Sequence, residues 1–480
     1  NCTTCNDNTP ITFVADDSLI PLYGGIPASY IIGLNSVGSI DESFIYGNGF
    51  NGEVRTIAIQ SDGKILVGGG FISYDGTPSN YIIRLNSDGS VDNTFVTGTG
   101  FDGFVYTIQI QTNGKILVGG QFNDYNGTAS YGIIRLNSDG SIDNTFVTGT
   151  GFDGFVYTIQ IQTNGKILVG GKFSSYDGTP SNYIIRLNSD GSIDNTFNIG
   201  TGFDSIVTII ELQSDEKILV GGDFKNYDGI KPNRIIRLNS DGSVDNTFVT
   251  NAGFDNSVFT IQIQSDGKIL VGGDFQNYDI IPSNRIIRLN SDGSVDNTFI
   301  NGNGFDETVL TIQIQSDGKI LVGGEFSNYN DISYPFFIRL NSDGSVDNTF
   351  VTGTGFNSFV TTIVLQSDGK ILVGGDFSSY PLNNGVFQLS DGSCVLLESY
   401  GVVSRNSPDK LITFGPFLSC IECSTPDDRA GIESIICISC DDVYSVTATT
   451  VPHAIYLNNQ GRAISQINTV EIGGFNGLNN

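Results

Sequence analysis

The chain reads as an all-β protein: a seven-bladed β-propeller of 51-residue, four-stranded repeats, followed by a small cysteine-containing, β-rich C-terminal module. Three observations predict this. The hexapeptide Lys-Ile-Leu-Val-Gly-Gly occurs seven times, starting at Lys64, Lys115, Lys166, Lys217, Lys268, Lys319 and Lys370, always 51 residues apart. That is the register of units holding equivalent places in an array. Each period has room for four short strands, the content of a propeller blade rather than of the shorter coil of a β-helix. Finally, the array opens midway through a unit, because Tyr23 to Asn35 matches Tyr74 to Asn86 at the same offset. The head is therefore expected to complete the blade that Val360 to Phe377 begins, so that N- and C-terminal repeat halves close the ring. An eight-bladed ring and an open array are the alternatives.

One unit, from Val258 onward, gives the elements in order. Phe259, Ile261 and Ile263 alternate with Thr260, Gln262 and Gln264, the period-two pattern of a strand with one apolar face. Ser265 to Lys268 supplies a turn whose Asp-Gly suits positive φ. Ile269 to Val271 is unbroken apolar, as in a strand covered on both faces, and Gly272-Gly273 marks a close approach of backbones. After a loop around Tyr278, Ile286 to Leu289 forms a third strand, Ser291 to Ser294 another turn and Val295 to Phe299 a fourth strand. A degraded further copy of the last segment ends at Ser393. The expected organisation is an arm over 1–22, the propeller over 23–393 and the tail module over 394–480.

Composition narrows the function classes. The formal net charge is −28, which repels polyphosphate and excludes nucleic acid as a partner. No stretch approaches the roughly 20 apolar residues of a membrane span, so no membrane insertion is expected. The chain starts at Asn1 and contains no Met, from which a processed, exported form is expected. The seven cysteines fit an oxidising, extracellular or surface-exposed setting.

The motif Asp-Gly-Lys-Ile-Leu-Val-Gly-Gly-x-Phe, a Tyr-x-Gly loop and Ile-x-Arg-Leu-Asn-x-Asp-Gly-Ser-x-Asp-x-x-Phe together resemble the delta-60 repeat of secreted and surface-associated bacterial and viral propellers. The resemblance covers about three quarters of the chain. It implies the fold and an extracytoplasmic setting, and it carries over no catalytic residues.

Several columns bear chemistry. Aromatic residues recur at Tyr74 through Tyr380, Phe71 through Phe377 and Phe50 through Phe356; they read as packing between blades, with a sugar-stacking surface as the alternative. The loop Asn86, Asp88, Ser90, Asp92 spaces oxygen atoms as calcium loops do but lacks their later bidentate Glu, so it reads first as a turn and second as a calcium loop. The lysines of the hexapeptide and Arg84 through Arg339 read as partners of repeat aspartates. After Gly-Gly the copies diverge to Gly70, Gln121, Lys172, Asp223, Asp274, Glu325 and Asp376. Positions that drift between near-identical units do not hold the fold, so these six side chains are the candidate ligand rim. Cys420, Cys423, Cys437 and Cys440 stand as two C-x-x-C pairs 13 residues apart, and Cys2 and Cys5 form a third pair. Disulfides explain them, and zinc is the alternative. The single histidine, His453, lies outside the repeat, leaving no evident catalytic constellation. No cofactor is required on this reading, Ca2+ and Zn2+ being the secondary options.

The apolar runs Ala454 to Leu457 and Ile464 to Ile472 have no place in a ring and suggest pairing with another copy. The expectation is a non-enzymatic extracellular structural subunit that self-assembles through its terminal arms into a filament, sheath or surface appendage. The alternative is a monomeric adhesin or lectin-like propeller that binds glycans at the rim.

Overall fold

The computed structural model describes residues 29–45, 47–350 and 355–380, together with the backbone of short strands outside these ranges. The chain divides into two compact units, Pro27–Tyr380 and a second formed by Asn1–Ile26 with Pro381–Asn480. No helix occurs among the described residues.

The first unit is seven antiparallel three-stranded sheets. The second repeat supplies Phe104–Ile110, Ile116–Gln121 and Ile133–Leu136, with Ile116–Gln121 central. A fourth strand is present as a single bridge, Leu136 to Ile142. It is shorter than the Val295–Phe299 segment foresees, because Asp143 folds its carboxylate onto the N–H of Thr145 and turns the chain. The last hairpin, Val360–Leu365 with Ile371–Gly375, takes its third strand from the head of the chain: Ile31 lies opposite Gly374 and Leu34 opposite Ile371.

Each sheet packs on the next through the double glycine. A Cβ on Gly119 would stand 2.6 Å from Val156 Cγ1 of the following sheet, and one on Gly120 would stand 2.1 Å from Phe104 O of its own. Both contacts exclude any side chain, which is why Gly-Gly ends the hexapeptide. The seventh sheet meets the first in the same way, since Gly374 faces Val54 and Ile57 and Thr361 Oγ1 donates to Val54 O at 2.5 Å.

The core is one cluster per junction, each repeating the same aromatic trio. Phe101 lies 4.4 Å from Phe122 and 4.6 Å from Tyr125, centroid to centroid, all three buried; such pairs add about 0.5–1.5 kcal/mol each beyond burial. The Tyr125 hydroxyl donates to Gly140 O at 2.7 Å. These periodic rings are packing, not a stacking surface.

In the second unit, a four-stranded antiparallel sheet runs in the order Ile11–Phe13, Val470–Gly474, Tyr444–Thr447, Leu411–Thr413. Tyr456–Leu457 pairs with Ala463–Ile464 and Val386–Gln388 with Cys394–Leu396. The tail strands expected to lack partners thus pair within their own chain, Val470–Gly474 with the N-terminal arm and with Tyr444–Thr447, and Tyr456–Leu457 with Ala463–Ile464. Cys2, Cys5, Cys420, Cys423, Cys437, Cys440 and His453 lie outside the described residues.

Candidate binding face at the open ends of the hairpins

The first and second strands of every blade are joined by a turn at one end and open at the other. At the turn end the charged columns lock together. Asp92 Oδ2 accepts from Arg84 Nε at 2.7 Å and Lys64 Nζ at 2.8 Å. Arg84 also lies 4.7 Å above the Phe95 ring and donates to Ser138 O of the next blade. Burial alone would raise the Asp92 carboxyl, but hydrogen bonds from Lys64, Thr94 and Arg84 more than offset it and hold the group well below the usual carboxylate range. The cationic columns are therefore internal partners, as expected. The seventh blade departs from the pattern, with Gly33 at the arginine position and Asp41 held by Lys370 at 2.9 Å.

The loop offered as a calcium site is occupied with its own turn. Asp88 Oδ1 accepts from Ser90 N at 3.0 Å and Ser90 Oγ at 2.6 Å. Asn86 Nδ2 donates to Ser90 Oγ at 2.9 Å, and Asp92 is bound as above. Among the described residues no group of three or more His, Cys, Asp or Glu side chains could hold a metal ion.

The open end has the opposite character. In all seven blades the ladder slips by one residue opposite Gly-Gly, as between Val105–Gly120 and Thr107–Gly119, leaving Tyr106 as a bulged residue. A bulge re-aims the side chain it frees. The freed residues are Arg55, Tyr106, Tyr157, Thr208, Phe259, Leu310 and Thr361. This corrects the alternation read from Phe259, Ile261 and Ile263. The extra residue shifts the phase, so that Val258 and Ile261 are buried while Phe259 is only partly so.

The drifting positions lie beside these bulges. Gln121 is opposite Phe104 and Lys172 opposite Phe155. The N–H groups of Asp223, Asp274, Glu325 and Asp376 bond to Ile206, Ser257, Thr308 and Phe359 of the first strands, each at 2.9 Å. Gln121, Lys172, Asp223 and Asp376 are exposed, Asp274 and Glu325 partly so. Several are held: Tyr106 Oη donates to Gln121 Oε1 at 2.9 Å, Ser257 Oγ to Asp223 at 3.0 Å and Asn256 to Asp274 at 2.6 Å.

A further column borders the same face. Tyr30, Tyr81, Gly132, Tyr183, Arg234, Arg285 and Phe336 all have φ between 66° and 76°. Such a conformation is strained for large side chains. It is held by bonds on both sides, as when Tyr81 N donates to Phe71 O and Tyr81 O accepts from Gly69 N. Tyr81 packs 5.9 Å from Phe104 and Phe336 5.7 Å from Phe359 of the following blade.

Lower on the inner strands, Gln109, Gln160, Glu211, Gln262 and Gln313 occupy one column. Glu211 sits among its neighbours' amides, 3.5 Å from Gln160 Nε2 and 3.4 Å from Gln262 Nε2. Burial pushes its carboxyl up to about 7, against the lowering effect of the Leu212 N–H. Sequence reasoning missed both this carboxyl and the bulge column. Each was signalled within a column, Glu211 among four glutamines and unlike residues after a constant Val.

Radially repeated blades with packed glycine junctions and inner strands facing a common axis define a β-propeller. The chain belongs to the family described as "Domain of unknown function (DUF5122) beta-propeller", whose model matches residues 60–95, 111–146, 162–197, 213–248, 264–299, 315–350 and 366–389, half of the chain. No protein of curated function matches it. Among solved structures, it is similar to the extracellular domain of BT4673 from B. thetaiotaomicron at 12% identity and TM-score 0.42, covering 78% of this chain and 44% of that one. It is similar to PorZ, a surface component of the type-IX secretion system of Porphyromonas gingivalis, at 12% identity and TM-score 0.42, over 88% and 55% of the two chains. It is also similar to virginiamycin B lyase from Staphylococcus aureus, at 16% identity and TM-score 0.37, over 72% and 98%. The chain thus spans about half the length of the first two. No helix among the described residues is long and apolar enough to cross a membrane.

Proposed function

We propose that the chain is a non-enzymatic, extracellular recognition propeller of the delta-60 kind, whose contact surface is the face at the open ends of the hairpins. One observation carries this reading. Side chains that recur in six or all seven repeats are spent on the ion-paired, aromatic and glycine contacts of the blades, whereas the positions that vary most, Glu211 and Glu216 aside, gather on that one face. A fold that repeats its lattice without change while varying one surface has freed that surface for a ligand. The ring is read as closed by Ile31–Leu34 on Ile371–Gly374, supported by the Thr361–Val54 bond, which makes the face rigid.

The test replaces Arg55, Tyr106, Tyr157, Phe259 and Leu310 together by Thr, the residue that Thr208 and Thr361 already supply at this position. The variant is expected to fold normally and to lose retention on the cell or virion surface that holds the native protein. Unchanged retention would overturn the reading.

A second reading, a self-assembling subunit, is favoured by the sheet in which Ile11–Phe13 lies at an edge beside Val470–Gly474. An edge strand at a terminus is readily exchanged between copies. Negative-stain microscopy of native, unreduced protein should then give regular fibres or sheets that disperse when residues 1–22 are removed. Isolated discs at every concentration would exclude it.

A further inference from the structure

We infer that the recognition face carries a binding site for a neutral oligosaccharide, formed by Tyr81, Phe104, Tyr106, Tyr157 and Phe155 on the first three blades. The inference rests on the recognition reading and adds the ligand class. The five rings form a continuous arc: Tyr81 to Phe104 at 5.9 Å, Phe104 to Tyr106 at 6.1 Å with the planes 22° apart, Tyr106 to Tyr157 at 5.2 Å and Tyr157 to Phe155 at 6.5 Å. All five are partly exposed. They are not needed for the fold. The next three blades build the same strands with Ile206 and Thr208, Ser257 and Phe259, or Thr308 and Leu310 at the corresponding pairs of positions. A single ring recurs at these positions in the fifth and seventh blades, as Phe259 and Phe359, but only the second and third blades place two rings there, and the paired rings require another reason to be there.

The chemistry around the arc selects the occupant. An apolar peptide would meet the Tyr106 hydroxyl, the Gln121 amide and Lys172, whose Nζ lies 6.0 Å above the Phe155 ring. A pyranose fits both parts, since its C–H face stacks on a ring while its hydroxyls reach the flanking polar groups. Burial raises the Tyr106 and Tyr157 phenols, with Arg55 opposing, so both remain neutral donors at physiological pH. Charge disfavours acidic sugars: Arg55 is paired with Glu53 at 2.8 Å, and Asp223, Asp274, Glu325 and Asp376 continue the rim from Gln121 and Lys172 around the other blades, on a chain of net charge −28. A neutral glycan meets no such repulsion.

The test titrates the full chain with neutral hexasaccharides of the β-glucan, α-glucan, xylan, mannan and chitin classes. Readouts are calorimetry and tyrosine fluorescence, the latter unmasked because the chain has no Trp. Tyr106→Thr and Tyr157→Thr adopt the residue of the fourth blade, and Val147→Thr alters an exposed residue beside Asp190 at the turn end, away from the face. The expected result is saturable binding to at least one class, weakened tenfold or more by each tyrosine substitution and unchanged by Val147→Thr, with thermal unfolding alike in all proteins. Binding to none of the five classes, or equal binding by the tyrosine variants, would overturn the inference. If no sugar binds while the Thr-substituted face still abolishes surface retention, the ligand class fails and the recognition reading stands. If neither sugar binding nor retention depends on the face, both fail.

Discussion

Replacing Glu211 by Gln should stabilise the propeller by an amount that depends on pH. The groups facing the carboxyl are the amides of Gln160 and Gln262, at 3.5 and 3.4 Å, and the N–H of Leu212. Among the described residues no cation pairs with it, so burial dominates and lifts it from 4.5 to about 7. The sign follows from proton linkage. With the folded value raised, the folded protein holds the proton after the unfolded chain has released it, so stability is fully present at pH 4 and declines as pH rises through 7. A shift of this size corresponds to about 3 kcal/mol at pH 8.5 and under about 1 kcal/mol at pH 5. Gln escapes that cost and already fills the column at Gln109, Gln160, Gln262 and Gln313, so its shape is accommodated. Urea unfolding followed by circular dichroism at both pH values is the assay. With a slope near 3 kcal/mol per molar, the variant midpoint should rise by about 1 M at pH 8.5 and by about 0.3 M or less at pH 5. An equal shift at the two pH values, or none at pH 8.5, would refute burial as the cause.

Three further outcomes follow from other parts of the lattice. Tyr125→Phe leaves the buried Gly140 carbonyl without its 2.7 Å donor and should cost about 1–2 kcal/mol, read as a lower urea midpoint at constant slope. Asp92, Asp143, Asp194, Asp245, Asp296 and Asp347 are all held well below the usual range. Their stabilisation is complete above the unfolded value near 4 and is lost as pH falls through the lower folded values, at up to ~1.4 kcal/mol per pH unit for each; a midpoint unchanged between pH 4.5 and 2.5 would contradict this. Glu216 takes φ 66° where the other six repeats have Gly. Glu216→Gly relieves ~1–2 kcal/mol of strain but loses the Thr163 hydrogen bond and frees the unfolded chain by up to ~1 kcal/mol. The balance should be a gain of no more than about 1 kcal/mol in thermal or urea unfolding, and a clear loss would mean that Glu216 bridges its two blades more strongly than one exposed bond allows.

The fold was legible because its causes are periodic. Gly119 and Gly120 are glycine for steric reasons that recur at every junction, and the Lys115–Asp143–Arg135 cluster recurs with them, so a 51-residue interval reveals the blade before any contact is known. What did not repeat was harder to read. The slip opposite Gly119 and Gly120 leaves no residue type of its own, since the glycines that permit it are already required by packing. A strict alternation therefore set Phe259 beside Ile261 when the strand has one residue more than its partner. The pairing of Ile11–Phe13 with Val470–Gly474 was hidden for a different reason: two short apolar runs more than 450 residues apart carry no mark of each other.

The candidate site was half legible. Drift after Gly-Gly pointed to Gln121, Lys172 and the acidic positions, and these do lie together at the open ends of the hairpins. The aromatic columns were read correctly as packing, but the exposed rings beside the bulges went unnoticed, because ring chemistry is the same in a core and at a surface. Recurrence separates them. Phe101, Phe122 and Tyr125 return in every blade and are buried, since each junction must be filled by the same volume. Phe104 and Tyr106 return as a pair only in the third blade, as Phe155 and Tyr157, with Phe359 and Phe259 recurring singly elsewhere, and the four paired rings stay partly exposed. In a chain that builds one blade many times, a residue that all copies share answers to packing. One that a few neighbouring copies share, on the face where the rest diverge, answers to whatever that face meets.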